Sequence, residues 1–168
     1  MTSLNQAISN IVKDHKCDVG QVNREVAKLP PSLITIIEIA IQYKFYPMEI
    51  MMMCVSINLK TPKGKCIKHI SRDYGFILYT QDYHHTNTVL IEFVFILPEH
   101  RRKGHFQRAI DIFKANKDIV CLTTNQRPMN LFCIKNNLKP LSLTRTKDEV
   151  FFAWSDKYDD KYILDKLF

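Results

Sequence analysis

The chain has 168 residues, 46% of them hydrophobic and 24% charged, enough for one domain with its own core and too apolar for a disordered chain. Four Gly and seven Pro exclude a collagen-like or low-complexity sequence. A formal net charge of +7 predicts an anionic partner and leaves nucleic acid, an acidic protein and a phosphorylated ligand open.

Ser3 caps a first helix that carries Leu4, Ala7, Ile8 and Ile11 on one face. A shorter helix is predicted from Gln21 to Leu29, stopped by Pro30-Pro31. Ser32 opens an apolar stretch to about Tyr43 whose Leu33, Ile36, Ile37, Ala40 and Ile41 fit a helix, although so much isoleucine also permits a strand. Met51 to Leu59 reads as a strand, and Lys60 to Arg72 as a basic, turn-rich loop carrying Lys60, Lys63, Lys65, Lys68 and Arg72. Gly75 to Gln81 and Thr88 to Leu97 read as two strands joined through the polar DYHHTN turn, an antiparallel hairpin. The loop PEHRRKG leads into a helix from about Gly104 to Ala115, with Phe106, Ala109, Ile110 and Phe113 at helical spacing. Ile119 to Thr124 is a short buried strand, and strand–helix–strand over this length predicts a right-handed crossover and a parallel pair. A helix follows from Pro128 to Asn136, with Asn137 as a left-handed cap. Leu141 to Thr144 and Glu149 to Trp154 pair as closing strands, with Phe151, Phe152 and Trp154 in the core. The tail, Lys157 to Phe168, forms a short helix.

The expected fold is therefore α/β, one mixed and mainly antiparallel sheet flanked by helices with one parallel β-α-β crossover. A single domain is expected over residues 1–168: a helical part (1–45), a sheet-containing core (49–156) and a tail (157–168). The N-terminus lacks an apolar run of signal-peptide type, and the most apolar stretch, Leu33 to Ile41, is short and contains Glu38. A soluble, cytoplasmic protein with no membrane partner is the expectation. Cys17, Cys54, Cys66, Cys121 and Cys133 stand singly with no CxxC pair and no His at zinc-ligand spacing, so neither a disulfide framework nor a metal site is predicted. His84 and His85 read as part of a polar turn.

The chemistry concentrates between Thr88 and Pro140. A nearly unbroken apolar strand delivers the chain through Arg101, Arg102 and Lys103, flanked by His100 and His105, to a helix start at Gly104. Unpaired amides and the helix dipole favour an anion there. Gly104 lets backbone approach a phosphate, and the basic side chains add charge around it. Glu92 is the sole ionisable side chain from Val89 to Leu97. Buried in an apolar strand, its carboxyl would be raised and suited to a general base, directly or through water; the alternative is a structural Glu paired with a basic neighbour.

The segment FVFILPEHRRKGHFQRAIDIF resembles the acetyl-CoA signature of the GNAT superfamily of N-acetyltransferases. Ile96-Leu97-Pro98-Glu99 matches the family's hydrophobic-x-Pro-Glu turn, and Arg101, Gly104 and Phe106 occupy the key positions of Q/R-x-x-G-x-G/A. Downstream, NQRPMNLFCIKNNLKPL resembles the second motif, N-x-x-A-x-x-L-Y-x-K-x-G-F. The resemblance implies acetyl transfer from acetyl-CoA to an amine. It implies that residues 101–106 (Arg101, Arg102, Lys103, Gly104, His105 and Phe106) hold the cofactor diphosphate. Backbone at Phe95, Ile96 and Leu97 would hold the acyl and pantetheine end, and Asn130 would add a contact. Phe106 departs from the small residue usual at its position, and its side chain must turn toward the helix packing face. Asn137-Leu138 replaces Gly-Phe. The family's Tyr, an acid toward the leaving thiolate, is replaced by Phe132 or Cys133 according to the direction of counting. A Cys133 thiol near about 8.5 is a feasible acid; packing is its alternative role.

Direct acyl transfer needs a deprotonated amine, a donor to the oxyanion and a proton or dipole for the leaving sulfur. The acceptor amine is not legible, and the charge leans toward an anionic one. Two other readings stand beside the transferase: a catalytically inactive CoA-binding or protein-interaction module, and a small basic nucleic-acid-binding protein, for which no recognition motif speaks. The basic stretch from Lys60 to Arg72 either lines an acceptor site or is a solvated loop. A homodimer remains open.

Overall fold

The structure, a computed structural model, describes residues 3–82, 86–143 and 148–167. The expected turn histidines His84 and His85 lie outside the described residues. By backbone contacts the chain divides into two compact units, Met1–Phe76 and Ile77–Phe168.

The first unit is mostly helical. Helix α1 (Leu4–Val12) starts where the Ser3 hydroxyl accepts from the Gln6 amide at 3.2 Å, and a single 3-10 turn, Lys13–His15, ends it. Helix α2 (Val19–Ala27) is capped by Asp18, whose Oδ1 accepts from the Gln21 amide at 3.1 Å. Pro30-Pro31 both stops α2 and starts α3 (Pro31–Gln42), because proline at a first helical position gives up an amide that has no partner there anyway. Leu33, Ile36, Ile37 and Ala40 are fully buried, and helical spacing prevails over the strand preference of isoleucine.

Two expectations fail in this unit. Met51 to Leu59 is not a strand but the body of helix α4 (Pro47–Leu59), which buries Ile50, Met51, Cys54 and Val55. That spacing of one, then three, then one is a helix face. Lys60 to Arg72 is not a loop throughout. It contains a short helix α5 (Pro62–Cys66) and a strand β1 (Ile67–Arg72), with Lys65, Lys68 and Arg72 exposed. Gly64 lets α5 close on α4: an added Cβ would stand 1.9 Å from the Ser56 carbonyl oxygen.

Strands β2 (Gly75–Gln81), β3 (Thr88–Ile96), β4 (Ile119–Thr124), β5 (Lys139–Leu143) and β6 (Val150–Trp154) complete a six-stranded sheet in the order β1-β2-β3-β4-β6-β5. In the second unit β3 and β4 run parallel, joined by helix α6 (His105–Asn116), and β4–β6 and β6–β5 are antiparallel. Ala109, Ile110 and Phe113 of α6 are buried, and the helix packs on β3 and β4. A second cluster joins Ile119, Cys121, Phe151 and Ala153 to Ile163 and Leu167 of helix α8 (Asp160–Leu167). Alternate residues of β4 thus serve two buried layers. Trp154 is half-buried, with the Lys114 ammonium 5.2 Å from its ring centroid. Helix α7 (Arg127–Lys135) ends near Asn137 in the expected left-handed conformation, φ 62°.

Among the described residues no helix is long and apolar enough to cross a membrane, and no three His, Cys, Asp or Glu side chains gather as a metal site.

Candidate functional site

The parallel pair fixes where a site can form. Pairing of β3 with β4 covers Thr88↔Ile119 to Ile91↔Leu122. β3 then continues to Ile96, while Thr123 and Thr124 of β4 pair with β6. Past Ile91 the two strands no longer match residue for residue, and the carboxyl ends of both lead into helix N-termini, α6 and α7. In open α/β sheets such a crevice takes ligands.

The connection from β3 to α6 is built for an anion. Pro98–His100 forms one 3-10 turn, in which the His100 amide donates to the Leu97 carbonyl at 2.9 Å and the Arg101 amide to that of Pro98 at 3.3 Å. Arg102 and Gly104 then adopt left-handed φ of 60° and 78°. Among the described residues no turn or cap hydrogen bond runs from the amides of Arg102, Gly104, Phe106 and Gln107. The free run thus begins at Arg102 rather than Arg101, whose amide is spent inside the chain. No side chain caps α6.

These groups border a cavity of about 570 Å³. Ile96, Arg101, Arg102, Gly104, His105 and Phe106 line it, and they were all expected at a cofactor site; His100, Gln107, Phe132 and Lys135 complete it. Arg101 and Phe106 shape its walls, and Arg108 stands behind them, outside the lining. Arg101 turns back, donating from Nε to the Ile96 carbonyl at 2.9 Å, its guanidinium 5.5 Å from the Phe95 ring centroid. Phe106 is buried and stacks on Phe132 with centroids 4.7 Å apart, so the bulky departure from the motif points into packing and leaves its amide available. Arg108 donates from Nη1 to the Lys103 carbonyl at 3.1 Å and lies 2.9 Å from His105 Nδ1. Partial burial, then Arg108, His100 and Lys103, hold the His105 ring below the ordinary histidine value.

No family model matches the chain, and no curated protein matches it. Among solved structures, a Desulfovibrio desulfuricans protein provisionally named an acetyltransferase of the GNAT family aligns with TM-score 0.60 at 10% identity, over 76% of this chain and 94% of that one. The fold is GNAT-like. At this identity the likeness is one of fold.

Within the GNAT-like fold the remaining expected residues scatter. Phe95 is buried under Arg101, Leu97 is half-buried, and Lys103 is exposed. Asn130, half-buried on α7, has a buried Oδ1 with no hydrogen-bond partner. Glu92 is exposed on β3 and accepts from the Thr80 hydroxyl at 3.2 Å. The burial expected of it is absent: it shares a face with Leu90, which packs against the cluster under α8, but lies two residues further along the strand. Cys133 is fully buried on α7, and burial pushes its thiol up to about 12. Sequence reading missed Arg108 and Lys135. Arg108 carried one signal, its place four residues after Gly104, one helical turn above the cap.

Proposed function

We propose that the protein is an N-acyltransferase that transfers an acetyl group from acetyl-CoA to an amine. One observation carries the reading: at the carboxyl end of the parallel strands, unspent amides in a cationic turn border a cavity of about 570 Å³. Amides at a helix start, ringed by Arg and Lys, suit a diphosphate.

Bound acetyl-CoA would supply a thioester carbonyl open to attack. The chain's own residues do the rest in this reading. Amides of Arg102, Gly104, Phe106 and Gln107 hold the diphosphate, with charge from Arg102, Lys103 and Lys135. Backbone at Phe95, Ile96 and Leu97, beyond the last β3–β4 pair, holds the pantetheine arm and the carbonyl. Glu92, exposed on β3, takes the acceptor's proton through water. Cys133, buried and holding its proton tightly, packs the helix, and backbone and helix dipoles stabilise the departing sulfur.

Acetyl-CoA is expected to raise the melting temperature, and thiol release is expected with some member of an amine panel. Glu92→Gln should cut turnover about 100-fold while keeping the acetyl-CoA-dependent thermal shift. Absence of any shift with acetyl-CoA would overturn the reading. A second reading, a CoA-binding module without catalysis, draws on Phe132, stacked on Phe106 where the family motif has a tyrosine. It predicts the thermal shift with no thiol release from any amine.

A further inference from the structure

The turn that borders the cavity is poorly secured by its own backbone. Arg102 holds a left-handed φ of 60° without being glycine, a conformation that costs energy and persists only where neighbours impose it. The helix that follows has no side-chain cap. What crosses the turn instead is the guanidinium of Arg108. It bonds the Lys103 carbonyl through Nη1 and reaches His105 Nδ1 through Nη2. A Cβ on Gly104 would lie 3.1 Å from Nη1, so the guanidinium covers this glycine.

We propose that Arg108 is a positioning residue for the anion site, bracing the turn Arg102–His105 from the helix side and fixing the ring orientation and tautomer of His105. This rests on the reading of the cavity as the diphosphate site. Arginine only donates hydrogen bonds, so Nδ1 of His105 accepts and the ring's proton sits on Nε2. His105 is thereby kept as a neutral donor at the cavity wall. The charged and titratable groups around it are His100, Arg101, Arg102 and Lys103 on the turn, Arg108 on its own helix, and Lys135 across the cavity from α7. They are basic, so a polyanion entering the cavity makes protonation of His105 easier, and binding should take up protons as the pH falls toward the histidine range.

The test uses the full chain with Arg108→Gln and Arg108→Lys. Arg108 is exposed, so both variants should melt close to the parent. In ligand-free protein, NMR titration of the His105 ring should show a midpoint below the ordinary 6.5 that rises in Arg108→Gln. That arm tests the brace without any nucleotide. Calorimetry with CoA should show affinity about tenfold weaker in Arg108→Gln through loss of preorganisation, partly restored in Arg108→Lys, which can keep one of the two bonds. An unmoved His105 midpoint together with unchanged CoA affinity overturns the proposal. A shifted midpoint in a protein whose parent form does not bind CoA upholds the brace and overturns the diphosphate reading instead.

Discussion

Two glycines show how single residues set this structure, and only one announces itself in the sequence. Gly104 is legible, because a glycine closing a basic loop before an amphipathic helix is where a left-handed residue is needed, and φ there is 78°. Gly104→Ala should cost about 1–2 kcal/mol for the left-handed conformation alone and weaken CoA binding, whereas Gly104→Glu should abolish the CoA-dependent thermal shift by placing a carboxylate among the free amides. Gly64 is illegible, because its constraint comes from the Ser56 carbonyl on another helix. With an added Cβ 1.9 Å from that oxygen, Gly64→Ala should destabilise the chain by about 3 kcal/mol through forced backbone movement, measured by urea unfolding. Glu92 shows the opposite failure. Its type and place on the strand were readable, but its exposure depended on how far along β3 the cluster that covers Leu90 extends.

Helices with a polar face and a marked start were readable as elements. Ser3 caps α1 as expected, and α6 repeats Phe106, Ala109, Ile110 and Phe113 on its buried face, whereas α2 starts at Val19 behind an Asp18 cap, two residues before the expected Gln21. Asp18→Ala should lower stability by about 1 kcal/mol, read from a chemical melt. Helix α4 was misread because its run of methionine, cysteine, valine and isoleucine is apolar at nearly every position and shows no period. Burial on one face decides the matter, which a single apolar run cannot reveal. Met51 is completely buried, so Met51→Ala should cost about 2–5 kcal/mol. The strand β1 was hidden for the reverse reason: lysine, histidine and arginine interrupt it, and its partner in the sheet is what makes it a strand.

At the scale of the whole molecule, the five thiols form two classes. Cys17 and Cys66 are exposed, and Cys54, Cys121 and Cys133 are buried. Native alkylation followed by mass spectrometry should modify the first two and spare the other three. Burial raises Cys54 and Cys133 from 9.0 to about 12, and Cys121 is raised further by burial and by Glu92. In the unfolded chain these thiols lose protons near their ordinary value, while the folded protein keeps them. The stability they contribute is complete below pH 9, and it falls as the pH climbs from there toward 12. A melting temperature that holds through neutrality and drops above pH 9 is the expected record. The net charge of +7 adds one more expectation, that CoA affinity weakens as salt is raised.

The amino-acid sequence by itself determined the Ser3 and Asn137 caps, the strand–helix–strand order around α6, and the basic turn before Gly104, because each rests on neighbours within a few residues. The tertiary structure alone decided that α4 is a helix, that Glu92 faces solvent, that Phe106 packs on Phe132, and that Arg108 rather than a capping side chain holds the turn. These outcomes depend on which surfaces are buried and which atoms meet across a packed interface, and spacing along the chain does not encode either one.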